Sequence, residues 1–215
     1  RHIVRGDHFA RGPAFTHFDP NILHGQEVFG ATLGIIGMGG VGQQVARRAA
    51  GFDMKVLYHN RSEIPEIAGK LGATYVSLPE LLAQSDFVTL NVPMTPETRN
   101  MIGRDELAMM KPTAILVNAA RGGVLDHDAL VDALSDGTIW AAALDVTEPE
   151  PLPRDHPLLA MENIVIAPHL GSATRKTRIG MVQRTIENLI AGLSGGDMPS
   201  RVARRHDFAV GIPFD

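Results

Sequence analysis

The chain has no cysteine, one tryptophan and only 5% aromatic residues among its 215 positions. Without cysteine it can form no disulfide, zinc–thiolate site or cysteine nucleophile. This composition fits a reducing compartment, so we expect a cytoplasmic protein. The net charge of −4 lacks the basic excess of proteins that bind nucleic acid or anionic membranes. No apolar run approaches the roughly 18–20 residues of a membrane span, and no histidine spacing indicates a metal site.

What the chain does contain is a regular alternation of short apolar runs and helical patterns. The runs are rich in β-branched residues, which is typical of buried strands in a parallel sheet. The predicted strands are residues 33–36, 54–58, 73–76, 87–90, 114–117, 139–144 and 164–166. The predicted helices are residues 41–50, 78–83, 104–110, 128–134 and 179–193, with a further helix start at Thr95-Pro96. This alternation predicts an α/β fold with a doubly wound parallel sheet.

The sequence GMGGVG at residues 37–42 follows the first predicted strand and opens the first predicted helix. In a dinucleotide-binding loop Gly37 would make the tight turn, Gly39 would let the backbone approach a pyrophosphate, and Gly42 would pack helix on strand. The free N–H groups of the helix start favour an anion there. A glycine-rich turn without a ligand is the alternative. The positions that we assign to this site are Gly37, Gly39, Gly40, Val41 and Gly42.

These features predict a Rossmann-type domain with short flanking segments. Residues 1–30 are polar and irregular and are predicted to form an arm or interdomain connection. Residues 31–175 are predicted to form the dinucleotide-binding domain, and residues 176–215 a C-terminal helix and tail.

The end of the second predicted strand bears on which cofactor is bound. Asn60 lies 18 residues after Gly42, where NAD-binding proteins carry an acidic residue for the ribose hydroxyls. Asn60 would not repel a 2′-phosphate, Arg61 can pair with one, and Ser62 can donate to it. We therefore expect NADP(H) to be preferred, with NAD(H) as the alternative. Glu63 keeps open the interpretation that Arg61 is an ordinary surface residue.

Polar residues also follow the later predicted strands, where ligands bind in an open α/β sheet. Arg121 can hold a carboxylate by two hydrogen bonds, or can instead cap a helix or face solvent. His169 is a candidate acid, although a lone histidine is usually structural. A carboxylate could support it, and position alone leaves Glu148 and Glu150 as equal candidates. Asp145 is well placed to meet a cofactor.

Several segments in order resemble the D-isomer-specific 2-hydroxyacid dehydrogenase family. They are GMGGVG at 37–42, NVPMTPET at 91–98, NAARGG at 118–123, LDVTEPEPLP at 144–153 and PHLGSA at 168–173. The resemblance covers about residues 30–198 and is nearest to the glyoxylate and hydroxypyruvate reductases.

The resemblance implies a role for each matching residue. Arg121 would orient and polarise a 2-oxo acid, His169 would protonate the new alkoxide, and Glu150 rather than Glu148 would support the charged histidine. The implied reaction is NADPH-dependent reduction of glyoxylate or hydroxypyruvate, in a homodimer formed through the nucleotide domain. The further cofactor-binding positions that it implies are Pro93, Thr98, Ala119, Asp145 and Gly171.

The chain also departs from the family pattern. Gly40 stands where the family usually has an arginine, and Trp140-Ala141 replace an expected Ala-Gly pair. Most of a second domain, which supplies backbone N–H groups to the substrate, would precede residue 1. We therefore expect a C-terminal part of a longer enzyme, with residues 176–215 returning toward the missing domain. This part alone should catalyse poorly.

Two other functions are compatible with these residues. One is a nucleotide-binding module without turnover, such as a remnant or a redox sensor like the C-terminal-binding protein corepressors. The retained Arg121, Glu150 and His169 argue against decay. The other is a related formate or phosphite dehydrogenase, for which we see no positive sign.

Overall fold

The computed structural model describes residues 2–201 and contains two compact units, Arg1–His169 and Leu170–Asp215. The first unit carries the whole sheet. Residues 170–201 of the second unit contain one helix, and the tail predicted beyond residue 201 lies outside the described residues.

All seven predicted strands are present, each within two residues of its predicted bounds. They are β1 (Thr32–Ile36), β2 (Lys55–His59), β3 (Ala73–Tyr75), β4 (Phe87–Leu90), β5 (Ile115–Asn118), β6 (Ala141–Leu144) and β7 (Ile164–Ile166). Every pair is parallel, and the order is β3-β2-β1-β4-β5-β6-β7. The order reverses between β1 and β4, which confirms the doubly wound α/β fold.

Seven α-helices accompany the strands in residues 2–201. They are α1 (Ile3–Arg11), α2 (Gly40–Ala49), α3 (Pro65–Leu71), α4 (Leu78–Gln84), α5 (Arg104–Met109), α6 (His127–Ser135) and, in the second unit, α7 (Arg175–Leu193). Polar caps start several of them. The Ser77 hydroxyl accepts from Glu80 N while the Glu80 carboxylate accepts from Ser77 N, and the Asp126 carboxylate caps α6. Among the described residues, no helix is both long and apolar enough to cross a membrane.

Three local predictions were wrong or incomplete. The N-terminal segment is helical over α1 rather than irregular; this polar helix buries none of its residues. Contacts with the sheet domain stabilise it, because His2 packs on Trp140 and Arg5 pairs with Glu162 at 3.0 Å. The short helix α3 has no counterpart among the predicted helices. Residues 96–100, after Thr95, form a turn and not a helix.

Two apolar clusters cover the two faces of the sheet. Neighbouring strand residues point to opposite faces, so Ile35 and Tyr58 pack with α2 and α3 while Ile36 and Leu57 join the other cluster. That second, larger cluster includes Leu81 and other apolar residues of α4, α5 and α6. Burial on both faces explains why the strands read as continuous apolar runs.

The strands end together at the carboxyl edge of the sheet. One row of paired residues crosses the sheet, consisting of His59, Ile36, Leu90, Asn118, Leu144 and Ile166. The segments that follow this row include the glycine loop and every polar strand-end residue predicted above in the first unit. The fold therefore gathers them at one edge.

Candidate active site

The glycine loop has the backbone geometry of a phosphate cradle. Gly37 has φ +97°, a conformation that side-chain-bearing residues rarely adopt. A Cβ on Gly42 would overlap the carbonyl oxygen of Gly37, so α2 can approach β1 only because this residue is glycine. Gly39 and Gly40 have no atom within 4 Å of an added Cβ. Because α2 begins at Gly40, its first N–H groups lack partners within the helix, and no side chain caps them in the described part of the chain.

Asn60 ties the glycine loop to the end of β2. Its Oδ1 accepts a hydrogen bond from Met38 N at 2.7 Å. This bond orients the amide group of Asn60, whose N–H₂ can donate to a ligand. Two tyrosine hydroxyls fix the segment that follows. The Tyr58 hydroxyl accepts from Ile64 N at 3.0 Å, and that of Tyr75 donates to the Asn60 carbonyl at 3.2 Å.

Arg61 and Ser62 are the exposed tip of this fixed segment. Glu63 beside them is also exposed and forms no ion pair within the described part of the chain. The tip therefore presents an exposed guanidinium and a hydroxyl next to the glycine loop.

After β4, Thr98 shapes a turn. Its hydroxyl donates to the Pro93 carbonyl at 2.7 Å and accepts from Thr95 N at 2.8 Å. The Thr98 hydroxyl thus fixes the shape of this segment, in which Pro93 and Thr98 are predicted cofactor-binding positions.

After β5, a buried asparagine builds the turn that carries Arg121. The Oδ1 of Asn118 accepts from Ala120 N at 3.0 Å, and its Nδ2 donates to the Arg121 carbonyl at 3.0 Å. The Arg121 side chain is exposed, and its Nη1 donates to the Ala120 carbonyl. Ala119 is exposed in the same turn. The sequence prediction omitted Asn118, although an asparagine that ends a buried strand is a turn-building signal.

After β6 and β7, the predicted carboxylate and histidine meet. Glu150 Oε1 accepts from His169 Nδ1 at 2.7 Å, with side-chain exposures of 42% and 48%. His169 N donates to the Asp145 carbonyl at 2.9 Å, and His169 has φ +55°. That left-handed conformation costs a non-glycine residue of order 1–3 kcal/mol and is concentrated at functional sites. Because Glu150 binds Nδ1–H, the other nitrogen, Nε2, can exchange a proton with a ligand.

The structure separates the two candidate glutamates. Glu148 Oε1 lies 3.4 Å from Arg99 Nη1 and, unlike Glu150, makes no hydrogen bond to His169.

Near this site, burial lowers the pKa of His127, and the neighbouring His156 lowers it further. Within residues 2–201 no group of three His, Asp or Glu side chains is arranged to hold a metal ion.

Arg121 does not contact the Glu150–His169 pair. It makes no ion pair within residues 2–201, and its guanidinium contacts its own turn rather than Glu150 or His169. Gly171 belongs to the second compact unit. A cleft of about 500 Å³ lies beside Asp145 and Glu150, so both line a concave surface.

Comparison with known proteins gives a consistent identification. The D-isomer specific 2-hydroxyacid dehydrogenase, NAD binding domain, family matches residues 1–171. A glyoxylate reductase of Aeropyrum pernix is 48% identical over 208 residues, which cover 95% of this chain and 62% of that protein. The chain therefore spans less than two thirds of the length of this relative.

Solved structures agree. The TT0316 protein of Thermus thermophilus has a TM-score of 0.88 and 46% identity, covering 94% of this chain and 63% of that one. A glyoxylate reductase of Paecilomyes thermophila has a TM-score of 0.79 and 42% identity, covering 85% and 55%. Because the family match includes the whole sheet and all of the strand-end segments, this chain belongs to the D-isomer specific 2-hydroxyacid dehydrogenases, as their NAD-binding domain.

Proposed function

We propose that the native protein containing this chain reduces a small 2-oxo acid, glyoxylate or hydroxypyruvate, to the 2-hydroxy acid with NADPH. The observation that carries this proposal is the 2.7 Å hydrogen bond between Glu150 and His169, at the sheet edge that also carries the glycine loop. The names of the similar glyoxylate reductases support the substrate class.

The chain's own atoms fit a dinucleotide at this edge. Backbone N–H groups at the start of α2 would bind the pyrophosphate, and the open space above Gly39 and Gly40 leaves room for it. Arg61 would pair with a 2′-phosphate, and Asn60 would donate its amide hydrogens to it. Asn60 is uncharged and does not repel that phosphate, as an acidic residue at this position would. This supports NADPH over NADH. The bound cofactor supplies the hydride.

The remaining roles belong to acid–base and positioning groups. Arg121 would bind the substrate carboxylate through its guanidinium, which is exposed and unpaired with any acidic group in residues 2–201. When C2 gains a hydride, its carbonyl oxygen becomes an alkoxide, and His169 gives its Nε2 proton to that oxygen. Glu150 stabilises the imidazolium before the transfer and fixes the ring orientation.

We also propose that the protein dimerises through this domain. Support comes from a second cleft, of about 820 Å³, that lies beside α1 and the first residues of β6 and β7. Trp140 lines it, and the exposed Ile3 and Val165 add apolar surface. Trp140→Arg should therefore shift the protein toward monomer in sedimentation, whereas an unchanged sedimentation coefficient would place the interface elsewhere.

The cytoplasmic location of the protein stays a prediction from its composition.

Glyoxylate-dependent oxidation of NADPH by the native protein tests the function. His169→Gln should lower kcat by about 10²–10⁴-fold, the range for loss of a general acid, and should leave NADPH affinity unchanged. Glu150→Gln should lower kcat less. His24→Gln is the control, because His24 lies in the arm and bonds the Pro20 carbonyl. Full activity in His169→Gln would contradict the acid role. NADPH binding without turnover in the wild type would favour a nucleotide-binding module.

A further inference from the structure

Glu148 has a place of its own among the strand-end segments. Its carboxylate lies across Gly123, where an added Cβ would overlap Glu148 Oε2. Both terminal nitrogens of Arg99 approach its other oxygen, at 3.4 and 3.5 Å. Arg99 follows β4, Gly123 follows β5 and Glu148 follows β6. This one carboxylate therefore links the segment after β6 to those that follow the two preceding strands in the sheet, β4 and β5.

Backbone contacts make the same junction tight. Asn100 N donates to the Gly123 carbonyl at 2.8 Å. A Cβ on Gly122 would overlap the carbonyl group of Thr147. The turn that begins with Arg121 thus lies directly against the residues that lead to Glu150. A shift of Glu148 would therefore displace the segment that leads to Glu150 relative to the turn that begins with Arg121.

The link from Glu148 to Glu150 is short and stiff. Pro149 and Pro151 flank Glu150 and fix their own φ angles near −65°. The Thr147 hydroxyl donates to the Pro149 carbonyl at 2.9 Å and closes the segment on itself. The position of the Glu148 carboxylate therefore determines where Glu150 lies relative to His169.

We infer that Arg99 and Glu148 are a positioning pair that fixes Glu150 against His169 and sets the turn of Arg121 beside them. This inference rests on the proposed function for its catalytic consequence, but its geometric part does not. Neither side chain of the pair reaches His169, and both are about half exposed, at 54% and 49%. A pair of that exposure contributes little to stability. Loss of the Arg99–Glu148 pair should therefore change the geometry of the site rather than the free energy of unfolding.

The first test reads the site geometry without any catalysis. In the chain itself, the His169 Nδ1 proton should give an NMR signal, because its hydrogen bond to Glu150 slows exchange with water. Arg99→Gln and Glu148→Gln should each broaden or abolish that signal. Arg99→Lys, which can still pair with Glu148, should restore it. Arg104→Gln is the matched control, since it breaks the exposed Arg104–Asp132 pair between α5 and α6.

The second test uses turnover by the native protein. Arg99→Gln should lower kcat about tenfold, because misplacing catalytic groups by up to 1 Å costs on the order of 10–10² in rate. NADPH affinity and the unfolding midpoint should stay at their wild-type values. The double variant Arg99→Gln/Glu148→Gln should be no worse than either single variant, as expected for two residues that act through one contact.

Two results would overturn the inference. One is a wild-type His169 Nδ1 signal in both Arg99→Gln and Glu148→Gln. The other is loss of the signal together with a lower unfolding midpoint, which would make the pair merely structural. If the wild-type protein does not reduce 2-oxo acids at all, the proposed function fails, and the NMR signal alone still decides whether the pair positions Glu150.

Discussion

Each of the two edges of the sheet has a carboxylate that accepts hydrogen bonds, but the two carboxylates have different roles. At the amino edge, Asp86 accepts from Thr32 N at 2.8 Å and from Lys111 Nζ at 2.7 Å. Its own carbonyl accepts from Ile115 N at 3.0 Å. Partial burial would raise the pKa of Asp86, but the hydrogen bonds from Lys111 and Thr32 outweigh it and hold that pKa below its usual value. Asp86 thus ties three strands together.

At the carboxyl edge, Glu150 faces a group that can still react. Its partner His169 keeps Nε2 available and has a left-handed backbone, whereas Asp86, Thr32, Lys111 and Ile115 have ordinary conformations. The glycine loop likewise leaves open space above Gly39. The polar groups around Asp86 are thus used to join strands, whereas the carboxyl edge keeps groups available for a ligand, as expected for parallel α/β sheets.

The largest expected effect on NADPH binding comes from a substitution of Gly42 in the glycine loop. Gly42→Ala places a Cβ on the Gly37 carbonyl oxygen and should force the loop away from its cradle geometry. NADPH affinity should fall about hundredfold, equivalent to roughly 2.7 kcal/mol. Gly51→Ala is the control, because its Cβ meets no atom within 4 Å and Gly51 lies between α2 and β2, outside the glycine loop. Equal NADPH affinity in Gly42→Ala and wild type, measured by nicotinamide fluorescence, would show that the loop does not bind the pyrophosphate.

At the amino edge, a substitution of Asp86 should lower stability and leave NADPH affinity nearly unchanged. Asp86→Ala leaves Thr32 N and Lys111 without their acceptor and should lower the free energy of unfolding by about 1–2 kcal/mol. NADPH affinity should stay within about twofold, since the change lies at the far edge from the expected ligand contacts. Asp132→Ala, which removes only the exposed pair with Arg104, should change stability by less than about 0.5 kcal/mol. A weaker NADPH affinity in Asp86→Ala would show that the two edges are coupled.

A pH effect on stability should arise beside the carboxyl edge. His127 is only 8% exposed, its Nε2 has no partner in the described chain, and burial lowers its pKa. Below the ordinary value of 6.5, the unfolded chain takes up a proton that the folded ring refuses, so stability falls with falling pH until the folded pKa is passed.

Urea unfolding at several pH values measures this effect. Each unit of pKa difference corresponds to about 1.4 kcal/mol. His127→Gln should flatten the profile just below pH 6.5, while the exposed His24→Gln should not. A profile that stays equally steep in His127→Gln would assign the dependence to another group.

The smallest effect is a gain of affinity. Gly40→Arg adds a side chain where nothing lies within 4 Å, next to the expected pyrophosphate. An exposed charge pair of this kind is worth about 0.5–1 kcal/mol, so NADPH affinity should rise about two- to fivefold and lose that gain in high salt. An unchanged dissociation constant at low salt would place the pyrophosphate out of reach of residue 40.

The sequence was sufficient to predict the sheet and the position of the glycine loop. Burial on both faces requires continuous apolar strands, and the parallel register then brings every strand end to one edge. The missed helix α1 is polar and buries none of its residues, so no apolar periodicity marks it. The predicted helix start at Thr95 was wrong because the Thr98 hydroxyl binds both Pro93 and Thr95 and closes a turn instead.

Side-chain partnerships were harder to predict. Glu148 and Glu150 are equal candidates by spacing, the family resemblance favours Glu150, and in the folded loop Glu148 approaches Arg99 while Glu150 bonds His169. The hydrogen bond from Met38 N to the Asn60 side chain, across 22 positions of sequence, was not predicted. Such contacts depend on the positions of whole loops, which local sequence patterns do not encode.

The most direct measurement is amide chemical-shift mapping of the chain during titration with NADPH. The largest shifts are expected at Gly37, Gly39, Asn60 and Arg61, with the signals of Asp86 and Lys111 unchanged. Shifts concentrated around Lys111 or in the cleft beside Trp140 would place the ligand at the wrong edge and contradict the division of roles. So would a titration that moves no signal at all.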